Sequence, residues 1–374
     1  MRIGLITGEY PPMQGGIGAY TDILSRHLQA QGQDIFIFSQ ADTQAQHDAI
    51  HLTNTVIRWG ISSCFAIKSW SEQHQLDIVN LQFQTASFDM SPWIHFLPHL
   101  LSVPFVTTFH DLRFPYLFPK AGKLRDWIVM HLAKQSSSVI VTNHEDLASV
   151  QGLRAKMIPI GSNILSKITQ DTSEIRSKHN LSEDDFILAY FGFINHSKGV
   201  DTLLHALKKL NNPNIKLLMI GGRTGASDPT NFAYAQTIDA LITELDLAQQ
   251  VIWTGYVTED EVSAYLQLAD IVTLPFRDGA SFRRGSLMAG IEQNRPIITT
   301  KPSLDIPDFN ANNMMLVPPD NPQDLAKAIQ TLMQSPEKRQ ALQTNLEILR
   351  QKFDWNSIAQ ETLLLFEQVT GGKV

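Results

Sequence analysis

The sequence predicts an α/β protein built from two doubly wound, Rossmann-like parallel-sheet domains. Three observations carry this expectation. The chain has 374 residues, about twice the length of an ordinary domain. Short, nearly continuous apolar runs alternate with stretches of helical spacing, which is the pattern of strands buried on both faces beneath crossover helices. The alternation comes in two series, separated by a polar stretch from Ser166 to Glu183 that lacks apolar periodicity and reads as a linker.

The first series opens with the apolar run Arg2 to Thr7, then G-E-Y-P-P-M-Q-G-G-I-G-A-Y, then a helical stretch from Tyr20 to Gln31 with Leu24 and Leu28 on one face. That is a strand, a glycine-rich loop and a helix. Gly15, Gly16 and Gly18 let the backbone come close to a ligand at the helix start, or serve only a tight turn. Further strands are expected at Asp34 to Phe38, Asp77 to Leu81, Pro104 to Phe109, Ser138 to Thr142 and Lys156 to Ile160. Helical stretches fall at about Cys64 to His74, Pro92 to Leu101 and Lys123 to Gln135. The strand Pro104 to Phe109 runs directly into His110 and Asp111. A titratable ring and a carboxylate thus stand at the carboxyl edge of the sheet, where open α/β sheets bind ligands, unless they only cap the next element. The following F-P-Y-L-F-P-K-A-G-K-L-R-D-W is aromatic and basic. It suits an acceptor-side loop, a bilayer-touching surface or a packed irregular loop.

The second series has strands at Phe186 to Phe191, Ile215 to Ile220, Val251 to Thr254, Ile271 to Leu274, Pro296 to Thr299 and Met314 to Val317. Helices are expected at Val200 to Leu210, Ala235 to Leu245, Glu259 to Leu268, Pro322 to Gln334 and Pro336 to Gln351. The first βα turn, F-G-F-I-N-H-S-K-G-V-D, sets Lys198 at a helix start, where an ammonium suits a phosphate and a solvated lysine is the alternative. Gly221 and Gly222 end the next strand and leave room for a nucleoside. The loop after Ile271 to Leu274 leads into a helical stretch from Ser281 to Asn294. Gly279 and Gly285 free its backbone, Ser281 and Ser286 offer N-cap oxygens, and Arg283 and Arg284 bring two positive charges. Such a helix start is suited to phosphate, unless its arginines are solvated or paired with Asp278. A last helix, Trp355 to Val369, is too apolar to stand alone.

Composition narrows the function classes. The net charge is −7, which argues against the basic face that nucleic-acid binding needs. Cys64 is the single cysteine, so internal disulfides and thiolate metal sites are excluded and a reducing compartment fits. No His, Asp or Glu cluster has metal-ligand spacing, and no metal is expected. The first apolar run is too short for a signal peptide and no run approaches a membrane span. These features suit a soluble cytoplasmic protein, with peripheral contact at the inner membrane face left open.

Several separate motifs then line up. They are P-P-M-Q-G-G-I-G, T-F-H-D, I-P-I-G-S-N, F-G-F-I-N-H-S-K-G-V-D-T-L-L-H-A-L, W-T-G-Y-V-T-E-D-E-V, Y-L-Q-L-A-D-I-V-T-L-P and F-D-W-N-S-I-A. By their order and spacing the chain resembles the retaining GT-B glycosyltransferases of the family 4 type, also called glycosyl transferases group 1. The resemblance implies two Rossmann-like domains facing a central cleft. Residues 1–165 would form an acceptor-side domain, 166–353 a nucleotide-sugar domain, and 354–374 a helix crossing back. It implies a hexosyltransferase acting on a glycan, lipid or small-molecule acceptor, with a nucleotide-sugar donor as substrate and neither cofactor nor metal. Gly15 and Gly16 would approach the donor diphosphate, His110 the transferred sugar and Lys198 the phosphates. Gly255, Tyr256 and Val257 would lie near the base.

The chain also departs from that pattern. Ser281 and Ala289 stand where the family carries two glutamates, leaving Asp278 and Glu292 as the nearest carboxylates. Phe193 follows Gly192 where the family has an arginine, so Arg283 or Arg284 is expected to restore the lost charge. The missing glutamates keep open a protein that binds a nucleotide sugar without turnover, and the shared architecture keeps open a nucleotide-sugar epimerase.

Overall fold

The computed structural model describes residues 1–13, 15–112, 122–166, 172–223 and 229–371. The chain divides into two compact units, Met1–Gly161 with Phe353–Val374, and Ser162–Lys352. Most of the aromatic and basic segment after Asp111 falls outside the described residues, as do five residues of the linker.

The first unit begins β1 (Arg2–Thr7), α1 (Gly16–Ala30), β2 (Asp34–Gln40), β3 (His51–Val56), α2 (Ile61–Gln73) and β4 (Ile78–Phe83). It continues β5 (Phe105–Phe109), α3 (Gly122–Gln135), β6 (Ser138–Val141), α4 (His144–Ser149) and β7 (Ala155–Met157). The strands form one parallel sheet in the order β3-β2-β1-β4-β5-β6-β7. The order reverses between β1 and β4, and the register sets Thr7 opposite Gln82 and Gln82 opposite Thr108. Ile3, Leu5, Ile6, Ile78, Val79, Leu81 and Val106 are fully buried, as strands covered on both faces must be.

Two of the differences from expectation have local reasons. Strand β3 reads H-L-T-N-T-V and is half exposed at the sheet edge, so it lacks the apolar run that marks the other strands. The stretch expected to be a helix at Pro92 to Leu101 is a 3₁₀ segment, Trp93–His99, with Pro98 inside it. Pro98 has no N–H and cannot continue an α-helical ladder.

The second unit holds α5 (Ser173–Lys178), β8 (Phe186–Phe191), α6 (Val200–Leu210), β9 (Ile215–Ile220), α7 (Pro229–Glu244), β10 (Val251–Gly255) and α8 (Glu259–Leu268). After these come β11 (Ile271–Leu274), α9 (Gly285–Glu292), β12 (Ile297–Thr300), β13 (Met315–Val317), α10 (Pro322–Gln334) and α11 (Pro336–Arg350). Its parallel sheet runs β10-β9-β8-β11-β12-β13, with the reversal between β8 and β11. Helix α6 buries Val200, Leu203, Leu204 and Leu207, one stripe at helical spacing. Thr258 and Glu261 close a capping box at α8.

Helix α9 corrects one expectation. It starts at Gly285 instead of Ser281, because Arg284 N donates to Ser281 O and makes a turn of the intervening residues. Its N-cap residue is Arg284, and no side chain caps it. Ser281 and Ser286 are therefore not N-cap oxygens.

The last helix, α12 (Trp355–Thr370), belongs to the first unit and packs on α1. Asp354 caps it, accepting from Ser357 N at 3.0 Å. Trp355 lies over Tyr20 and fills the space above Gly161.

Candidate functional site

In each unit the strand order reverses once, and open α/β sheets bind ligands outside the carboxyl ends of the strands flanking that point. In the second unit those strands are β8 and β11. β8 runs into Gly192, whose φ is +113°. A Cβ there would meet the Lys198 ammonium at 2.8 Å and Ser286 Cβ at 3.9 Å. Glycine is thus what lets Lys198 lie against the strand end, with α9's first turn beside it.

Lys198 sits in the short turn His196–Lys198 ahead of Gly199, which has φ +65°. Its ammonium has no carboxylate partner among the described residues. Burial first, and the nearby Arg284 charge second, lower its pKa to about 8. Arg284 is therefore the member of the arginine pair that faces Lys198. Its guanidinium lies 4.8 Å from the Phe276 ring centroid and pairs with Asp278. Arg283 approaches the same carboxylate at 3.9 Å. Ser281 is buried and its hydroxyl makes no hydrogen bond among the described residues. Gly279, at φ +86°, packs on Lys301 O, and a Cβ on Gly285 would meet nothing within 4 Å among the described residues.

Three cationic groups, a buried hydroxyl and a helix start with no side-chain cap thus share one strand edge. Asp278 balances part of this charge, and Lys198 is left over. The arrangement can hold a group that carries more than one negative charge.

Glu292 stands elsewhere. It ends α9, accepts from Ser166 N at 3.3 Å, and meets Arg350 at 3.4 Å. Ala289 is fully buried within the helix. Gly222 lies under the half-exposed Phe193 ring, at 3.3 Å from a Cβ built on it. Gly255 ends β10 at φ +70° and bridges to Gly221. Tyr256 is 72% exposed beside it, and Val257 is half buried. These residues line the outer part of the same edge.

In the first unit, His110 follows β5 and bonds through Nε2 to Gln82 Oε1 at 2.9 Å. The Gln82 amide nitrogen donates to Asn80 Oδ1, and Asn80 donates to Val106 O and Thr108 Oγ1. With the Gln82 oxygen facing the ring, the histidine proton belongs on Nε2 and Nδ1 remains an acceptor. Burial pushes the ring's pKa down to about 4, and Tyr20 stands edge-on at 4.7 Å. His110 is therefore a neutral hydrogen-bonding group near pH 7. Asp111 is half buried next to it.

Gly15 is the N-cap of α1, and its Cβ direction is filled by the Glu9 carboxylate at 1.9 Å. That side of Gly15 offers no approach to a ligand, whereas a Cβ on Gly16 would meet nothing within 4 Å among the described residues. Gln82 and Glu9 were not singled out from sequence. The signal for Gln82 was present, since Asn80 and Gln82 are amides inside the otherwise apolar strand I-V-N-L-Q-F.

Two family models match this chain: Glycosyltransferase Family 4 over residues 14–159 and Glycosyl transferases group 1 over residues 171–347. The chain is 23% identical over 295 residues to the alpha-monoglucosyldiacylglycerol synthase of Streptococcus pneumoniae, covering 72% of this chain and 65% of that protein. It is 20% identical to a glycosyltransferase of Methanocaldococcus jannaschii, covering 98% of both. Among solved structures, sucrose-phosphate synthase from Thermosynechococcus elongatus superposes with TM-score 0.80 at 20% identity, over all of both chains. Anabaena HepE in complex with UDP-glucose gives TM-score 0.75 at 17% identity, covering 98% of this chain and all of that one.

Proposed function

The chain belongs to the glycosyl transferases of group 1, with their GT-B architecture, and from that premise we propose that it moves a hexose from a nucleotide diphosphate sugar to a hydroxyl acceptor with retained anomeric configuration. The observation that carries this reading is the Lys198 ammonium, which has no carboxylate partner among the described residues and stands beside Arg284 and the start of α9. The donor diphosphate takes that place. Glycosidic cleavage breaks the bond between the anomeric carbon and the phosphate oxygen, and charge accumulates on the leaving diphosphate. Lys198, Arg284 and the α9 amides stabilise it there without a metal.

For retention, the acceptor oxygen attacks the face the diphosphate leaves, and its proton passes to the departing phosphate oxygen. On this reading the base lies near Gly222, Gly255, Tyr256 and Val257. His110 accepts a sugar hydroxyl through Nδ1. UDP and UDP-glucose in the solved HepE complexes support a nucleotide-sugar donor here. The acceptor is a hydroxyl of a glycan, a lipid or a small molecule.

A second reading, nucleotide-sugar binding without turnover, draws on Ser281 and Ala289 standing where the family has glutamates. Hydrolysis of UDP-, GDP- and ADP-hexoses by the purified protein separates the two. Release of nucleoside diphosphate with its sugar supports transfer chemistry. Saturable binding with no release supports the second reading.

A further inference from the structure

Arg277 lies in the loop between β11 and α9, one residue ahead of Asp278, yet its guanidinium turns away from that carboxylate. Nη2 pairs with Asp201, Nε donates to Asp320 Oδ1 at 2.6 Å, and Nη1 donates to the His196 carbonyl at 3.3 Å. Its own backbone N donates to Ser197 O at 2.8 Å. Every face of the guanidinium therefore ends on a different segment: α6, the turn after β13, and the His196–Lys198 turn.

Two further contacts tighten the joint. Tyr234 from α7 donates to Asp201 Oδ1 at 2.7 Å, which leaves Asp201 Oδ2 for Arg277. A Cβ on Gly199 would lie 2.2 Å from the Pro275 carbonyl, so the turn carrying Lys198 is pressed directly on the loop carrying Arg284. Burial would raise the Asp201 carboxyl, but the Tyr234 hydroxyl and the Arg277 guanidinium outweigh it and hold Asp201 below the usual carboxylate range.

We infer that Arg277 is a positioning residue for the donor-diphosphate site, clamping the Lys198 turn against the loop that supplies Arg284. It touches no phosphate itself. The inference rests on the reading of that site given above. An arginine is required because the clamp needs a planar fork that reaches two carboxylates and a carbonyl together; one ammonium has no such geometry. Around Lys198, the charge facing it is Arg284 from the β11–α9 loop, with Gly192 and Ser286 as its other close neighbours. Releasing the clamp moves the ammonium into water and away from Arg284.

The test is calorimetric titration of UDP into the full chain and into Arg277→Gln and Arg277→Lys, from pH 6.5 to 9.5. In the unmodified protein, affinity falls as pH rises through about 8, where Lys198 loses its charge. Both variants should bind UDP roughly tenfold more weakly at pH 7, the scale of one lost charge-assisted contact. Their alkaline limb should also move upward, because a solvated lysine keeps its proton to higher pH. A purely structural role would lower the unfolding temperature and leave that limb in place. Should Arg277→Gln not fold, Asp320→Asn removes one prong at an exposed carboxylate and should give a smaller shift in the same direction. Unchanged affinity and an unchanged limb in the folded variants would overturn the inference. Absence of UDP binding by the unmodified protein would instead overturn the site on which it rests.

Discussion

At the scale of residues, the arginine pair divides its work. Arg284 lies over Phe276 and acts on Lys198, whereas Arg283 approaches Asp278 at 3.9 Å. Arg284→Ala should therefore lose roughly 100-fold or more in turnover, the scale of one missing charge-stabilising donor, and Arg283→Ala should stay near normal. Steady-state rates with a nucleotide-sugar donor check this; equal losses would mean the two act as a unit. Lys198 gives a pH signature of opposite sign in binding and in stability. Between about 8 and its unfolded value the folded chain has lost a proton that the unfolded chain keeps, so stability gains with rising pH while diphosphate affinity falls. Urea unfolding and UDP titration over the same pH series should show the two trends crossing. His110 gives a stability slope of the same sign at lower pH. Its folded pKa lies below the ordinary value, so the unfolded state takes the proton first and stability falls as pH drops from about 6.5 toward about 4. His110→Asn should shorten that acid slope and lower turnover, with UDP affinity at pH 7 nearly unchanged.

At the scale of elements, the joint between α6 and the β11–α9 loop is where backbone and function meet. Gly199 holds φ +65° with the Pro275 carbonyl against its Cα. Gly199→Ala adds a clash to a strained conformation and should cost about 1–3 kcal/mol or more, read as a lower unfolding midpoint together with weakened UDP binding. A variant as stable as the original would show the turn to be slack. Most elements were legible in the sequence because periodicity reports burial: β8, β9, β11, α6, α8 and α10 begin and end where their apolar patterns do. β3 was hidden because an edge strand needs little apolar surface. Helix α9 was overextended because serines that look like caps sit in a turn closed by backbone. The clamp at Arg277 was not legible at all, since it joins residues 43 and 76 positions apart, and periodicity carries no information on that range.

At the scale of the whole molecule, the chain places two switch-point edges on two units, each assembled from the same strand order around its reversal. Ligand held only by the folded second unit should stabilise that unit by mass action, about 2.7 kcal/mol at a hundred times the dissociation constant. We propose that a nucleoside diphosphate departs over Lys198 and Arg284 without a metal. The most direct test is NMR of UDP-, GDP- and ADP-hexose hydrolysis in the presence of a chelator, for the unmodified chain and Lys198→Ala. One donor should release nucleoside diphosphate and a sugar whose first-formed anomer is that of the donor, and Lys198→Ala should lose this reaction. Release of the opposite anomer, or full activity in Lys198→Ala, would contradict the proposal.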